Sequence, residues 1–166
     1  MSPEIESAVF EIDWRSAAGQ GLPTDQWQTL VLLPPSQEDV PASASPQEDG
    51  FLGVMETMTK AVSAKGTIVV LDSDPALTAL AHRSGRAVIT VAAPSVPAGA
   101  FASGHHISVR AGQIVHEHSG VSEQLLPLAE VASAEPVEPT AVLAAVAAAT
   151  SLGVLPSAIR AGLTVM

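Results

Sequence analysis

The sequence contains no cysteine and no tyrosine. Without thiols there is no disulfide framework and no thiolate metal centre. Aromatic residues are scarce: Phe10, Trp14, Trp27, Phe51 and Phe101 are the five in 166 residues. A core must therefore be closed with small and aliphatic side chains. Bases are scarce as well, 7 Lys and Arg against 17 Asp and Glu, for a formal charge of −10. A field of that sign repels phosphate backbones and anionic lipid, so neither nucleic acid nor a membrane is an expected partner. The longest apolar run, Ala141 to Ala149, is far short of the roughly 20 residues that span a bilayer. The opening Met-Ser-Pro-Glu-Ile-Glu has no basic start and no apolar run before Glu11, unlike a secretory signal.

What is present is apolar. Hydrophobic residues make up 47% and charged residues 14%, and alanine alone fills 28 positions. Such a chain has ample material for a core, which excludes a disordered polymer. The expectation is a soluble, cytoplasmic protein with one domain over residues 1–166.

The chain divides into three parts. The first, 8–92, has the alternation of a parallel α/β fold. Ala8 to Trp14 starts apolar and then alternates, predicting a strand. Ser16 to Asp25 carries Gly19, Gly21 and Pro23 and predicts a loop. Trp27 to Leu33 predicts a second strand, stopped by Pro34-Pro35. Pro34 to Asp49 holds four prolines and four acids with no apolar period, the composition of a mobile surface loop. From Gly50 to Lys65, Phe51, Val54, Met55, Met58, Ala61 and Val62 recur at helical spacing, with Gly66 as the C′ glycine. Thr67 to Leu71 predicts a buried strand. Asp74 and Pro75 mark a helix start, Ala76 to Arg83 the helix, and Gly85 its end. Ala87 to Val91 predicts another buried strand. Strand, helix, strand, helix, strand implies a mostly parallel sheet with flanking helices.

The second part, 105–131, changes character after a Pro/Gly/Ala/Ser loop over Pro94 to Gly104. His105–Arg110 and Gln113–His118 flank Ala111-Gly112 and predict a hairpin, with a third short strand within Glu123–Val131. This adds a small antiparallel subsheet. Ala132 to Pro139 predicts a linker. The third part, 139–163, holds two helices, Thr140 to Leu152 before Gly153 and Pro156 to Leu163.

Gly66-Thr-Ile-Val-Val-Leu-Asp-Ser-Asp-Pro75 before an alanine-rich helix resembles the "G-x-A-V-L-N-A-D-D-P" element of the Mur ligase superfamily. Ala141 to Ala149, Leu152-Gly-Val154 and Ile159-Arg-Ala-Gly-Leu163 are similar to its "N-A-L-A-A-V-A-A-A … L-G-V … I-R-x-G-L" ending. Val9-Phe-Glu-Ile-Asp13 resembles its "V-L-E-V-S" strand. The phrasing is closest to the ligase half of cyanophycin synthetases, and the likeness runs from about Ala8 to Leu163. It implies a central ATP-binding domain that activates a carboxylate as an acyl phosphate for attack by an amine. That chemistry needs clustered cations and phosphate-cradling amides. Two family positions are retained. Glu11 matches the carboxylate that helps hold magnesium, and Lys60 approximately matches a lysine carbamylated in several members.

The departures are specific. No Gly-Lys-Ser/Thr phosphate loop occurs in these residues, which start after its expected place. The stretch matching the family's "N-x-x-x-D-H" is Pro34-Pro-Ser-Gln-Glu-Asp-Val40, which has no histidine. The asparagine expected at the alanine-rich helix is Ala141, and the expectation is a chain without the family's usual C-terminal domain. The resemblance thus implies a degenerate, non-catalytic binding, regulatory or scaffold domain. The alternative is part of an ATP-dependent acid–amino-acid ligase completed by a separate chain carrying the phosphate loop. Mg-ATP is implied by resemblance only, and no cofactor is expected in the isolated chain.

The candidate residues also have plainer explanations. Glu11 can simply end a strand, and Lys60 can be the exposed partner of Glu56. Asp72 and Asp74 can form a carboxylate pair at a nucleotide site, or Asp74 can serve only as a helix cap. His116 and His118 share one strand face, with His105 and His106 on the neighbouring strand. They can hold zinc or form a solvated hairpin face. Removing a phosphate-loop strand would leave Ala8–Trp14 with an unpaired edge, which leads to the expectation of a homodimer.

Overall fold

Val and Ile fill the central strands of this chain, and stretches rich in Ala, Leu and Met form most of its helices. The computed structural model describes residues 8–34, 50–92, 104–131 and 138–164. Its elements are α1 (Trp14–Gln20), β1 (Trp27–Leu32), α2 (Phe51–Lys60), β2 (Val62–Leu71), α3 (Pro75–Arg83) and β3 (Ala87–Val91). They continue as β4 (His105–Arg110), β5 (Gln113–His118), β6 (Val121–Pro127), α4 (Pro139–Ser151) and α5 (Pro156–Thr164). The protein is α/β, as its pattern implies. The six strands form one sheet in sequence order. Strands β1 to β4 run parallel; β5 and β6 each reverse direction. The antiparallel part is thus a continuation of the parallel sheet through β4.

Alternation along the strands sends side chains to two faces. Leu30, Leu32, Ile68 and Val70 meet Phe51, Met55 and Met58 of α2 and Leu77 and Leu80 of α3. On the opposite face, Val69, Leu71, Ile89, Val91, Ile107 and Ile114 meet Val142, Leu143 and Val146 of α4 and Ile159 of α5. The sheet is therefore a middle layer between two helical layers. Each fully buried Leu or Ile contributes about 1.5–3 kcal/mol, so both faces are needed to hold it. A hydrogen bond of 2.8 Å between the Thr29 and Ser151 hydroxyls ties the end of α4 to β1.

Local chemistry sets the boundaries. Asp74 Oδ1 accepts the amides of Ala76 and Leu77 at 3.0 and 2.9 Å, which starts α3. Glu138 accepts the amide of Ala141 at 3.1 Å and caps α4. Ala111 and Gly112 have φ of 48° and 77°, and Ser119 and Gly120 have 49° and 79°. Two consecutive positive φ values give the type I′ turns whose twist suits two-residue hairpins.

Several expected boundaries are corrected. Ala8 to Asp13 forms no strand; Trp14 to Gln20, placed partly in a loop by its glycines, is the helix α1. Asp13 caps that helix by accepting the Ser16 amide at 2.9 Å, and Trp14 packs edge-on against Phe51 at 5.5 Å. The preceding apolar run is not buried: Val9 is 98% exposed. The homodimer expectation loses its premise here, because the strand with the unpaired edge does not form. Helix α2 ends at Lys60, not Lys65. Val62, 1% exposed, already pairs with Trp27, and burying it in the sheet outweighs one more helical turn. Gly66 lies inside β2 and caps no helix. Strand β6 begins at Val121, earlier than Glu123. Residues 35–49 of the loop expected over Pro34–Asp49, 94–103 of that over Pro94–Gly104 and 132–137 of the linker over Ala132–Pro139 lie outside the described residues, and Pro139 opens α4.

No helix among the described residues is long and apolar enough to cross a membrane.

Candidate functional site

Sheets of this kind bind ligands beyond the carboxyl ends of their parallel strands. Asp72 and Asp74 follow β2 at that end. Asp74 uses one carboxylate oxygen as the cap of α3, and the Asp72 backbone amide donates to Val91 O at 3.0 Å. Lys60 stands at the other end. It closes α2, immediately before β2 begins, and the ten residues of β2 span roughly 30 Å to Asp72. Its ammonium pairs with Glu56 at 2.8 Å and is 72% exposed. That pair is the ordinary i,i+4 contact of a helix surface. Glu11 lies in the irregular segment before α1. It lines a cleft of about 580 Å³ with Asp13, Ser16 and Leu22. Lys60 lines a different cleft, about 330 Å³, with Arg83 and Arg86. Glu11 and Lys60 thus line two different clefts, neither of which includes Asp72 or Asp74.

The histidines do converge. Register pairs Ile107 with His116 and His106 with Glu117, which sets His105 across from His118. The same face of β6 brings Glu123 opposite His116. The His105 and His118 rings stack at 5.6 Å between centroids, His105 and His116 lie at 5.6 Å, and His116 and His118 at 4.8 Å. His116, His118 and Glu123 each offer a ligand atom, and these atoms all lie within 4.8 Å of one another. His116 is 6% exposed. Its Nε2 is buried with no hydrogen-bond partner among the described residues. His118 is half-buried and Glu123 is exposed.

Electrostatics follow from this crowding. Burial pushes the His116 imidazole below its ordinary pKa. The neighbouring His118 and His105 push the same way, and Glu123 opposes them. His116 is thus held in its neutral, metal-ligating form.

His106 points to the other face. Its Nδ1 lies 2.9 Å from Thr90 Oγ1. Burial lowers its pKa, against the opposing pull of Asp72 and Glu117. Glu117 also receives a hydrogen bond from Arg110 Nη2 at 2.6 Å, so it belongs to a separate cross-strand pair.

Neither known protein families nor curated proteins provide a match to this chain. The Mur ligase resemblance accordingly rests on the quoted motifs alone.

Glu123 is the site residue that sequence reasoning missed. The signal was the Ser119-Gly120 turn. Read as a two-residue hairpin, it places Val121 opposite His118 and therefore Glu123 opposite His116.

Proposed function

We propose that this chain is a degenerate Mur ligase central-type module, most similar to the ligase half of cyanophycin synthetases. In this reading it binds, regulates or scaffolds and does not turn over unaided. One observation carries the proposal: apart from Val9–Asp13, which forms no strand, the resembling segments fall on elements that pack around one sheet. Gly66–Leu71 lies within β2, Asp74 caps α3, and the C-terminal motifs occupy α4 and α5 against the opposite face. The separation of Lys60 from the carboxyl end of β2 favours a non-catalytic role. So does the presence of Ala141 where the family has asparagine.

Calorimetry with Mg-ATP tests the reading. The expected result is no saturable heat from this chain. Saturable binding, or an amide product made by the chain alone, would overturn it. The reading as part of an ATP-dependent acid–amino-acid ligase would then take its place.

A further inference from the structure

We propose that β4, β5 and β6 carry a zinc-type metal site built from His116, His118 and Glu123, with His105 as the fourth ligand. The proposal is independent of the Mur ligase reading. It rests on side chains from three adjacent strands that converge on one face.

Geometry comes first. A zinc–imidazole bond is about 2.0–2.1 Å, which puts each ring centroid about 3.2 Å from the metal. Tetrahedral directions then separate two ring centroids by about 5.2 Å. The three observed separations, 4.8, 5.6 and 5.6 Å, lie on either side of that value. The ligand atoms of His116, His118 and Glu123, within 4.8 Å of one another, need up to about 1.5 Å of closure to reach tetrahedral contacts. The exposed Glu123 and the half-buried His118 have room to make that movement.

A second observation points independently to a ligand. His116 Nε2 is buried and accepts or donates no hydrogen bond among the described residues. A buried polar atom left in that state is rare and unfavourable, and a bound ion or water commonly satisfies it. His116 is fixed between Ile107 on β4 and Glu123 on β6, so the ring is positioned by the sheet. Such a rigid first ligand with two adjustable ones suits capture of an ion from solution.

The donor set selects the ion. Three imidazoles and one carboxylate, with no thiolate, suit a borderline divalent ion such as zinc, nickel or copper(II). They do not suit calcium or magnesium, which take mainly oxygen ligands. Four protein ligands fill a tetrahedral shell, so the ion would act as a clamp holding the three strands together. Glu123 supplies negative charge that offsets the ion, beside the imidazole rings of this face.

The test uses the full chain with any affinity tag removed, stripped with EDTA and titrated with zinc alone against a chromophoric chelator. The expected result is one zinc per chain, a raised Tm, and visible d–d bands of four-coordinate cobalt on substitution with Co2+. His118→Gln and Glu123→Gln should each weaken zinc binding by more than the roughly 10–100-fold typical of outer-shell changes. Both side chains are at least partly exposed, so the metal-free variants should keep wild-type circular dichroism and Tm. His82→Gln, on the exposed surface of α3, should bind zinc as the wild type does. Absence of stoichiometric zinc binding would overturn the proposal. So would wild-type affinity in either ligand variant, or equal loss in His82→Gln.

Discussion

A Cβ placed on Gly66 would lie 2.7 Å from the carbonyl oxygen of Gln28 and 2.6 Å from Val62 Cγ1. The two backbones approach this closely because the β1–β2 register slips between Trp27 and Thr29. Backbone cannot swing aside as a flexible side chain can. Gly66→Ala should therefore destabilise the chain by about 1–3 kcal/mol, the range for overpacking an ordered interior. Urea denaturation followed by tryptophan fluorescence measures this directly, since Trp27 sits at the same junction. A change within about 0.5 kcal/mol, the size of an ordinary surface effect, would mean that the slip is not rigid.

The turn between β4 and β5 offers the opposite sign. Ala111 holds φ of 48° beside Gly112 at 77°, a conformation that disfavours a residue bearing a Cβ. Asparagine tolerates it better and gives the preferred Asn-Gly pair. Ala111→Asn should stabilise the chain by about 0.5–1 kcal/mol, part of the ~1–2 kcal/mol left-handed cost that Asn lessens, read as a shift in the denaturation midpoint at unchanged m-value. A lowered midpoint would contradict the type I′ assignment.

Asp74 accepts two amides and thereby starts the helix that covers Ile68 and Val70. Asp74→Ala should cost about 1 kcal/mol, with a range of about 0.5–2, while Asp74→Ser should retain most of the stability. If both variants were equally damaging, Asp74 would have to be holding something beyond the α3 amides.

These positions also show what the sequence discloses. The order β1–α2–β2–α3–β3 was legible because its strands are continuous apolar runs, and because Asp74-Pro75 and Gly85 mark the ends of α3 by their own conformational chemistry. Gly66 was ambiguous. Glycine suits both a helix C′ position and a close backbone contact, and only the burial of Val62 beside Trp27 decides between them. Ala8–Asp13 alternates like a strand, but alternation reports a strand only where a partner exists, and Asp13 instead opens α1. At the histidine face, His116 and His118 were visible as a period-two pair. Glu123 was hidden because its place depends on register, which the Ser119-Gly120 turn sets.

His106 gives the pH dependence. It is buried on the face opposite His116, beside Thr90. Burial lowers its pKa, Asp72 and Glu117 draw it up, and Arg110 adds to the lowering. The folded chain thus resists protonation of this ring, while the unfolded chain protonates it near the ordinary value of about 6.5. Below that value the unfolded state binds more protons, so the stability of the fold rises with pH and is lost as pH falls from about 6.5 toward the lowered pKa. Above about 6.5 both states are neutral and the contribution is complete. Urea titrations in EDTA, at several values between about pH 7 and pH 5, should show a steeper loss for the wild type than for His106→Gln. EDTA removes any metal contribution, and His116 is common to both proteins, so the difference in slope belongs to His106. Parallel slopes would show that this imidazole reaches water in the folded state.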